Sequence, residues 1–265
     1  MFLLLWVVFY TFHSLGITTS CPNLPDGIQP RKINFTRGLT SVQTFVLINR
    51  MNKKNADSFD TKEKILDAAE YLFARDGYRG TSLRAITGRA GVNLAAVNYH
   101  FGSKKILVEE VIKRRIVPLN NIRKKRLEEI REASVQKKKK PAIRAVLAAF
   151  IEPTLFFKES NPEAEHFFTF IGRSMSDPDD TVRNVFIRYI KPLFELMFET
   201  ACKALPGHPP ELLFWRLHYT IGALFHTMHV CGHMKHEFKN VKTDTGAQSL
   251  IDMILPFVTA GMKAR

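Results

Sequence analysis

Cysteine is scarce in this chain of 265 residues, which contains only Cys21, Cys202 and Cys231. These residues are too few and too widely spaced for a disulfide framework or a cysteine-based zinc motif, which favours a reducing compartment. The chain also lacks a glycine-rich phosphate loop, a paired-carboxylate site and an ordered set of Ser, His and Asp. We therefore expect no catalytic residues, no enzyme activity and no cofactor.

Acidic residues are outnumbered by basic ones, with 25 Asp and Glu against 39 Lys and Arg and a formal net charge of +14. A basic balance favours a polyanionic partner such as nucleic acid, although it does not identify one. Residues 61–115 carry part of this excess, with eleven basic against six acidic side chains. A second basic run, Lys137–Lys140, is more typical of a solvated connector between helices than of a DNA contact.

The alternation of polar and apolar residues that marks a β-strand is absent from Ser103 onward. Helical periodicity replaces it, and we predict an all-α protein with about nine helices. Proline divides the C-terminal part, because Pro141, Pro162 and the segment 205–210 mark helix boundaries. Pro153 is expected to interrupt one of these helices.

Residues 82–101, SLRAITGRAGVNLAAVNYHF, have the pattern of two short helices joined by a tight turn. Leu83 and Ile86 lie on one apolar stripe, and Gly91 supplies the positive φ that a sharp turn requires. Asn93 is a suitable N-cap for the second helix. The exposed side of that helix is polar and aromatic, which suits a DNA groove better than a protein core.

Two flanking helices extend this pattern into a three-helix unit. Residues 61–77, TKEKILDAAEYLFARDG, have Thr61 as N-cap, one apolar face and a closing glycine as helix stop. Downstream, Ser103 is expected to cap a further helix, whose free N–H groups beside Lys104 form a phosphate site. This succession of capped helices predicts a helix-turn-helix DNA-binding domain at residues 51–105.

Residues 61–110 resemble the N-terminal domain of TetR-family transcriptional regulators. The likeness rests on the segments ILDAAEYLFARDGY, TSLRAI, AGV and YHFGSK. It implies contacts with the DNA backbone from Thr81, Ser82 and Arg84. It implies major-groove contacts from Asn93, Leu94, Ala95, Asn98 and Tyr99, and phosphate contacts from Tyr99, His100 and Lys104. Asn98 replaces a tyrosine that many members carry, so the base preference is expected to differ.

The N-terminus conflicts with a DNA-binding role. Residues 1–17, MFLLLWVVFYTFHSLGI, are strongly apolar and similar to a signal-peptide core or a short membrane anchor, but no basic segment precedes them. Residues 1–50 are therefore interpreted as a mis-assigned upstream extension, with translation starting at Met51. A membrane-tethered DNA-binding protein is the alternative. The preferred interpretation predicts action at the nucleoid in the bacterial cytoplasm, without a membrane partner.

Residues 106–265 are predicted to form a helical effector-binding and dimerisation domain. The last two helices, which include LLFWRLHYTIGALFHTM and LIDMILPFVTAGM, have the apolar content for pairing with a second subunit. In the family such pairing forms a four-helix interface, and the homodimer reads both halves of a palindromic operator. The resemblance thus implies a ligand-responsive regulator, most often a repressor, that a small effector releases from DNA. An effector-independent DNA-binding protein is the alternative.

Phenylalanine is abundant, with 21 residues, and an aromatic helical domain of this kind can enclose an apolar cavity. The segments GVNLAAVNYHFGSKK, ELLFWRLHYTIGALFHTM and PFVTAGMKAR are similar to the PsrA-type branch of the family, which responds to long-chain fatty acids or their acyl-CoA esters. A fatty-acyl effector, another apolar small molecule and the absence of an effector are the alternatives. The predicted lining of the effector pocket is Phe156, Phe167, Phe170, Phe186, His218 and Phe225. Candidate partners for an anionic head group are Arg173, Arg188, Arg216 and His218.

Four histidines, His226, His229, His233 and His236, lie close to one face of a predicted helix. Imidazoles one turn apart are possible metal ligands. Apolar core residues are interspersed with them, however, and no acidic cluster completes a site. A polar core or a dimer interface is the preferred interpretation, and no metal site is predicted.

Overall fold

The computed structural model describes the backbone of residues 41–230 and 244–264, and the side chains of residues 60–228 and 244–264. All regular structure in these ranges is helical, which confirms the predicted all-α class. The chain divides into two compact units, residues 1–63 and 64–265. The surfaces and the cavity discussed below belong to the second unit.

Nine helices follow one another in the described ranges, in the predicted order. They are α1 (Ser41–Gly80), α2 (Leu83–Ala90), α3 (Leu94–Phe101), α4 (Lys104–Gln136), α5 (Ile143–Ser160), α6 (Ala164–Ser174), α7 (Thr181–Ala204), α8 (Pro210–Val230) and α9 (Ala247–Lys263). None of these helices combines the length and the apolarity needed to cross a bilayer. The apolar residues 1–17, His233, His236 and the side chain of His229 lie outside the described residues.

Helix α1 begins at Ser41, so Thr61 lies inside it and is not its N-cap, contrary to the prediction. The irregular extension expected up to residue 50 is likewise helical from Ser41 onward. The physical reason is that residues 41–60 contain neither proline nor glycine, so no residue there stops a helix. Gly77, with φ 77° and ψ 168°, breaks the helical path at the predicted stop.

Side-chain oxygens of Ser82, Asn93 and Ser103 cap α2, α3 and α4, respectively, as the sequence predicts for Asn93 and Ser103. The capped N–H groups are those of Ala85, Ala96 and Ile106, at 3.1, 2.9 and 3.2 Å. Each cap satisfies a donor that the first turn of a helix leaves without a partner. Gly91, at φ 67°, makes the left-handed turn between α2 and α3.

Two apolar cores stabilise the unit formed by residues 64–265. The first core joins α5, α7, α8 and α9 to the second half of α4. The second core joins α1, α2 and α3 to the first half of α4, to α6 and to the start of α7. The predicted domain boundary between residues 105 and 106 lies within α4, because this one helix contributes to both cores.

Helix α5 continues through Pro153, where the sequence predicts an interruption. The missing N–H of a proline removes one backbone hydrogen bond and does not by itself end a helix that is held by packing. Pro153 and its neighbours Ile151 and Leu155 are buried. Burial of this face in the first core therefore outweighs the lost hydrogen bond.

Candidate nucleic-acid interface and effector cavity

Helix α3 is packed against the second core on one side and open to solvent on the other. On the packed side, Val97 is fully buried and Phe101 is 3% exposed. The exposed side chains are Leu94, Ala95, Asn98 and Tyr99. Tyr99 is 81% exposed, which is unusual for a large aromatic side chain and gives the helix a prominent contact surface. A short helix presented in this way has the geometry of a major-groove reader.

The predicted phosphate contacts Tyr99, His100 and Lys104 lie around the junction of α3 and α4. The Tyr99 and His100 rings meet edge to face, with their centroids 5.0 Å apart. Lys104 Nζ lies 4.4 Å from the centroid of the Tyr78 ring, which orients the ammonium group. Partial burial lowers the pKa of Lys104, and Asp179 opposes that shift. The first turn of α4 thus carries an oriented cation, the ammonium group of Lys104.

Thr81 is a correction to the predicted set of DNA-backbone contacts. Its side chain is 2% exposed, and its hydroxyl lies 3.1 Å from the Leu72 carbonyl and 2.8 Å from the Gly77 carbonyl. A buried hydroxyl that donates within the protein is not open to a phosphate. Its geometry ties the start of α2 to the end of α1. Ser82 and Arg84 are exposed, and their contacts stay predictions.

A buried carboxylate links α1 to α4. Glu70, which is 2% exposed, accepts hydrogen bonds from Arg114 Nη2 at 2.7 Å and Arg115 Nε at 3.0 Å. Arg114 also contacts Asp67 at 2.7 Å, and Arg115 contacts Glu163 at 3.4 Å. Charge-assisted hydrogen bonds of this kind are strong and directional. Glu70 was not among the residues predicted from the sequence, because acidic residues in helices are usually exposed.

A small apolar cavity of about 60 Å³ lies between α4, α5, α6, α7 and α8. Three of the six predicted lining residues line this cavity, namely Phe167, Phe186 and Phe225. A wider cleft of about 560 Å³ beside α1 is lined by charged side chains such as Arg89 and Glu163. That cleft does not offer the apolar enclosure that an apolar effector requires. The small cavity is therefore the candidate effector site.

The other three predicted lining residues, Phe156, Phe170 and His218, do not line this cavity, and their role in effector binding stays a prediction. Phe156 is 39% exposed. Phe170 is fully buried and stacks on Phe73, with ring centroids 5.3 Å apart. His218 packs between aromatic rings, 4.2 Å from the centroid of Phe214, and partial burial lowers its pKa. Helical periodicity alone does not distinguish these three positions from the three that line the cavity.

The arginines proposed from sequence for an anionic head group have other partners. Arg173 donates to the carbonyls of Ala74 and Arg75 at 2.9 and 2.7 Å, which ties α6 to α1. Arg216 donates to the carbonyls of Met262 and Ala264. Arg188 pairs with Glu109 at 2.7 Å. None of the three lines the cavity. Arg123 does line it, although it was not among the arginines predicted from the sequence.

The described fold and the surface of α3 define a helical protein of the helix-turn-helix class. Residues 65–111 match the family model of bacterial regulatory proteins of the tetR family. Residues 148–261 match the model of a tetracyclin repressor-like C-terminal domain. The chain belongs to the TetR family, which confirms the resemblance inferred from sequence.

Individual relatives match the chain less completely. The biofilm operon icaADBC HTH-type negative transcriptional regulator IcaR of Staphylococcus aureus (strain Newman) is 43% identical over 61 residues, which cover 23% of this chain and 33% of that protein. The chain thus spans about a third of the length of the curated relatives it matches.

Two solved structures share the fold. The transcriptional regulator FadR from Bacillus subtilis, in complex with stearoyl-CoA, has a TM-score of 0.52 at 14% identity, covering 75% of this chain and 98% of that one. The fatty acid degradation regulator FadR from Bacillus halodurans has a TM-score of 0.52 at 14% identity, covering 77% and 97%. Identities this low establish the fold alone, and the likeness to the PsrA-type branch stays a prediction.

Proposed function

We propose that this chain is a DNA-binding transcriptional regulator that acts as a homodimeric repressor on a palindromic operator in the bacterial cytoplasm. The observation that carries the proposal is helix α3, which is capped by Asn93, anchored by Val97 and exposes Asn98 and Tyr99 to solvent. Membership of the TetR family supports it, as does the likeness to IcaR, a negative transcriptional regulator.

Exposed apolar side chains on α8 and α9 support the dimer. Tyr219 is 61% exposed on α8, and Met253 and Phe257 are 57% and 72% exposed on α9. Exposed apolar surface of this kind is typical of an interaction site. A second copy of the chain would cover it, and two copies would present two α3 helices to two half-sites of the operator.

Two residues belong both to the cavity lining and to the second core, which supports control of DNA binding by an effector. Ile116 and Leu119 of α4 line the cavity and also belong to the core that holds Val97 and Phe101 of α3. A densely packed core transmits the displacement of one helix to the helices packed against it. An effector that enters the cavity would therefore shift α4 and change the spacing of the two α3 helices in the dimer. The stearoyl-CoA bound to FadR of Bacillus subtilis supports a fatty-acyl effector.

The DNA-binding proposal is tested by selecting sequences from a random double-stranded pool with the full chain. We expect an inverted repeat, and at fixed salt we expect Tyr99→Ala to weaken binding of the selected sequence at least tenfold. Lys104→Ala should weaken binding across sequences and reduce the slope of log K against log salt by about 1, as for the loss of one phosphate contact.

Lys191→Ala is the matched control, because Lys191 is an exposed residue of α7 that pairs with Glu195. It should bind DNA like the unmodified chain, and all three variants should keep the same oligomeric mass. Unchanged DNA affinity in both Tyr99→Ala and Lys104→Ala would refute the interface.

A further inference from the structure

Arg123 of α4 is a buried cation without a carboxylate partner among the described residues. It is 3% exposed. Its Nη1 donates to Asn120 Oδ1 at 2.9 Å and its Nη2 to Thr154 Oγ1 at 2.6 Å, and both acceptors are neutral. The guanidinium carbon lies 4.2 Å from the centroid of the Phe150 ring. Its buried Nε has no hydrogen-bond partner in the described part of the chain.

Burial of an unpaired charge is unfavourable, because the surrounding protein replaces water without supplying an opposite charge. Desolvation lowers the pKa of Arg123, and no described acid opposes this shift. An arginine nevertheless stays protonated at neutral pH. The two half-buried arginines nearby on α4 contrast with it, since Arg114 and Arg115 both meet the carboxylate of Glu70. Within the described ranges, Arg123 therefore has no counterion of the kind that Arg114 and Arg115 have in Glu70.

The position of Arg123 indicates which kind of anion would supply that charge. Arg123 and Thr154 line the apolar cavity, and the remaining lining is apolar, including Phe168, Ile221 and Phe225. A cation set in an apolar enclosure is complementary to a carboxylate attached to a hydrocarbon chain. At about 60 Å³ the cavity has room for a small head group such as a carboxylate, and not for a long tail as well. A longer tail must displace side chains of the lining. Phe168, Ile221 and Phe225 are only half-buried, so they can move.

We propose that Arg123 binds the carboxylate of an aliphatic monocarboxylic acid, and that the free acid rather than its CoA ester is the effector. The inference rests on the proposed function and assigns the ligand class of its effector cavity. An ester to CoA carries no charge at its acyl carbonyl. Its nucleotide head is also far larger than the space beside Arg123. The free acid places its own negative charge at the guanidinium and its tail among the phenylalanines.

The test compares octanoate, octanamide and octanoyl-CoA as probes for the full chain by isothermal titration calorimetry. We expect octanoate to bind at least tenfold more tightly than either other probe, since only octanoate places a negative charge at the guanidinium and forms charge-assisted hydrogen bonds with it. Arg123→Met should abolish the preference for octanoate over octanamide, and Arg123→Lys should retain part of it. Arg126→Met is the matched control, because Arg126 lies one turn along α4 and pairs with Glu152 at 2.8 Å.

The comparison of octanoate with octanamide needs no substitution, so the inference stays testable if Arg123→Met does not fold. Equal binding of the two probes, tighter binding of octanoyl-CoA, or no binding of octanoate would overturn it. An unchanged preference in Arg123→Met would overturn it as well. Binding of the selected DNA is measured in parallel. DNA binding without octanoate binding refutes this inference alone, and octanoate binding without DNA binding refutes the proposed function alone.

Discussion

Replacement of Glu70 by glutamine should destabilise the protein by about 3 kcal/mol. The substitution preserves the size of the side chain but removes the charge that two arginines share at 2.7 and 3.0 Å. Loss of one partner of a buried ion pair costs about 3–5 kcal/mol. We expect the lower end of that range, because Arg114 and Arg115 retain Asp67 and Glu163 as partners.

The measurement is urea unfolding followed by circular dichroism, at one fixed protein concentration because the proposed dimer makes stability concentration-dependent. Asp67→Asn is the matched control. It removes a carboxylate from the same network, but the Asp67 side chain is 56% exposed, so the expected cost is about 0–1 kcal/mol. A free energy of unfolding for Glu70→Gln within about 1 kcal/mol of that of the unmodified chain would refute the stabilising role of the buried carboxylate. Equal destabilisation of the two variants would refute it as well.

Three further substitutions test burial and assembly. Phe170→Ala should lower the free energy of unfolding by about 3–5 kcal/mol, since it removes a fully buried ring, whereas Phe156→Ala at 39% exposure should cost less than about 1 kcal/mol. Equal costs in urea unfolding would contradict the assignment of Phe170 to the core. Phe257→Glu should convert the dimer into monomers in size-exclusion chromatography with light scattering, because it adds a charge to the exposed face of α9. A dimer of unchanged stability in Phe257→Glu would exclude that face as the interface.

The sequence predicted the helix-turn-helix well because its signals are local. Asn93 and Ser103 cap helices through their own side chains, and Gly91 adopts the left-handed backbone that the turn needs. The start of α1 was predicted wrongly, because a local capping signal does not by itself show that a helix begins there. Thr61 looks like a cap in isolation, but the residues before it carry no signal that ends a helix.

The candidate effector site was predicted only in part, because its composition depends on packing between distant segments. Phe167 and Phe170 are three residues apart on α6, and both are buried, yet one lines the cavity and the other stacks on Phe73 of α1. The sequence likewise does not show which arginine borders the cavity. Arg173 and Arg123 look alike in the sequence, but only Arg123 borders the cavity.

The amino-acid sequence by itself determined the helical class, the order of the helices and the helix starts at Asn93 and Ser103, since periodicity, capping and turn residues act within a few positions. The tertiary structure alone decided which polar groups are buried. It placed the Thr81 hydroxyl and the Glu70 carboxylate inside the protein and left Arg123 beside an apolar cavity. Burial depends on residues far apart in the chain, and it decides whether a charged group keeps its hydration or needs a partner within the protein.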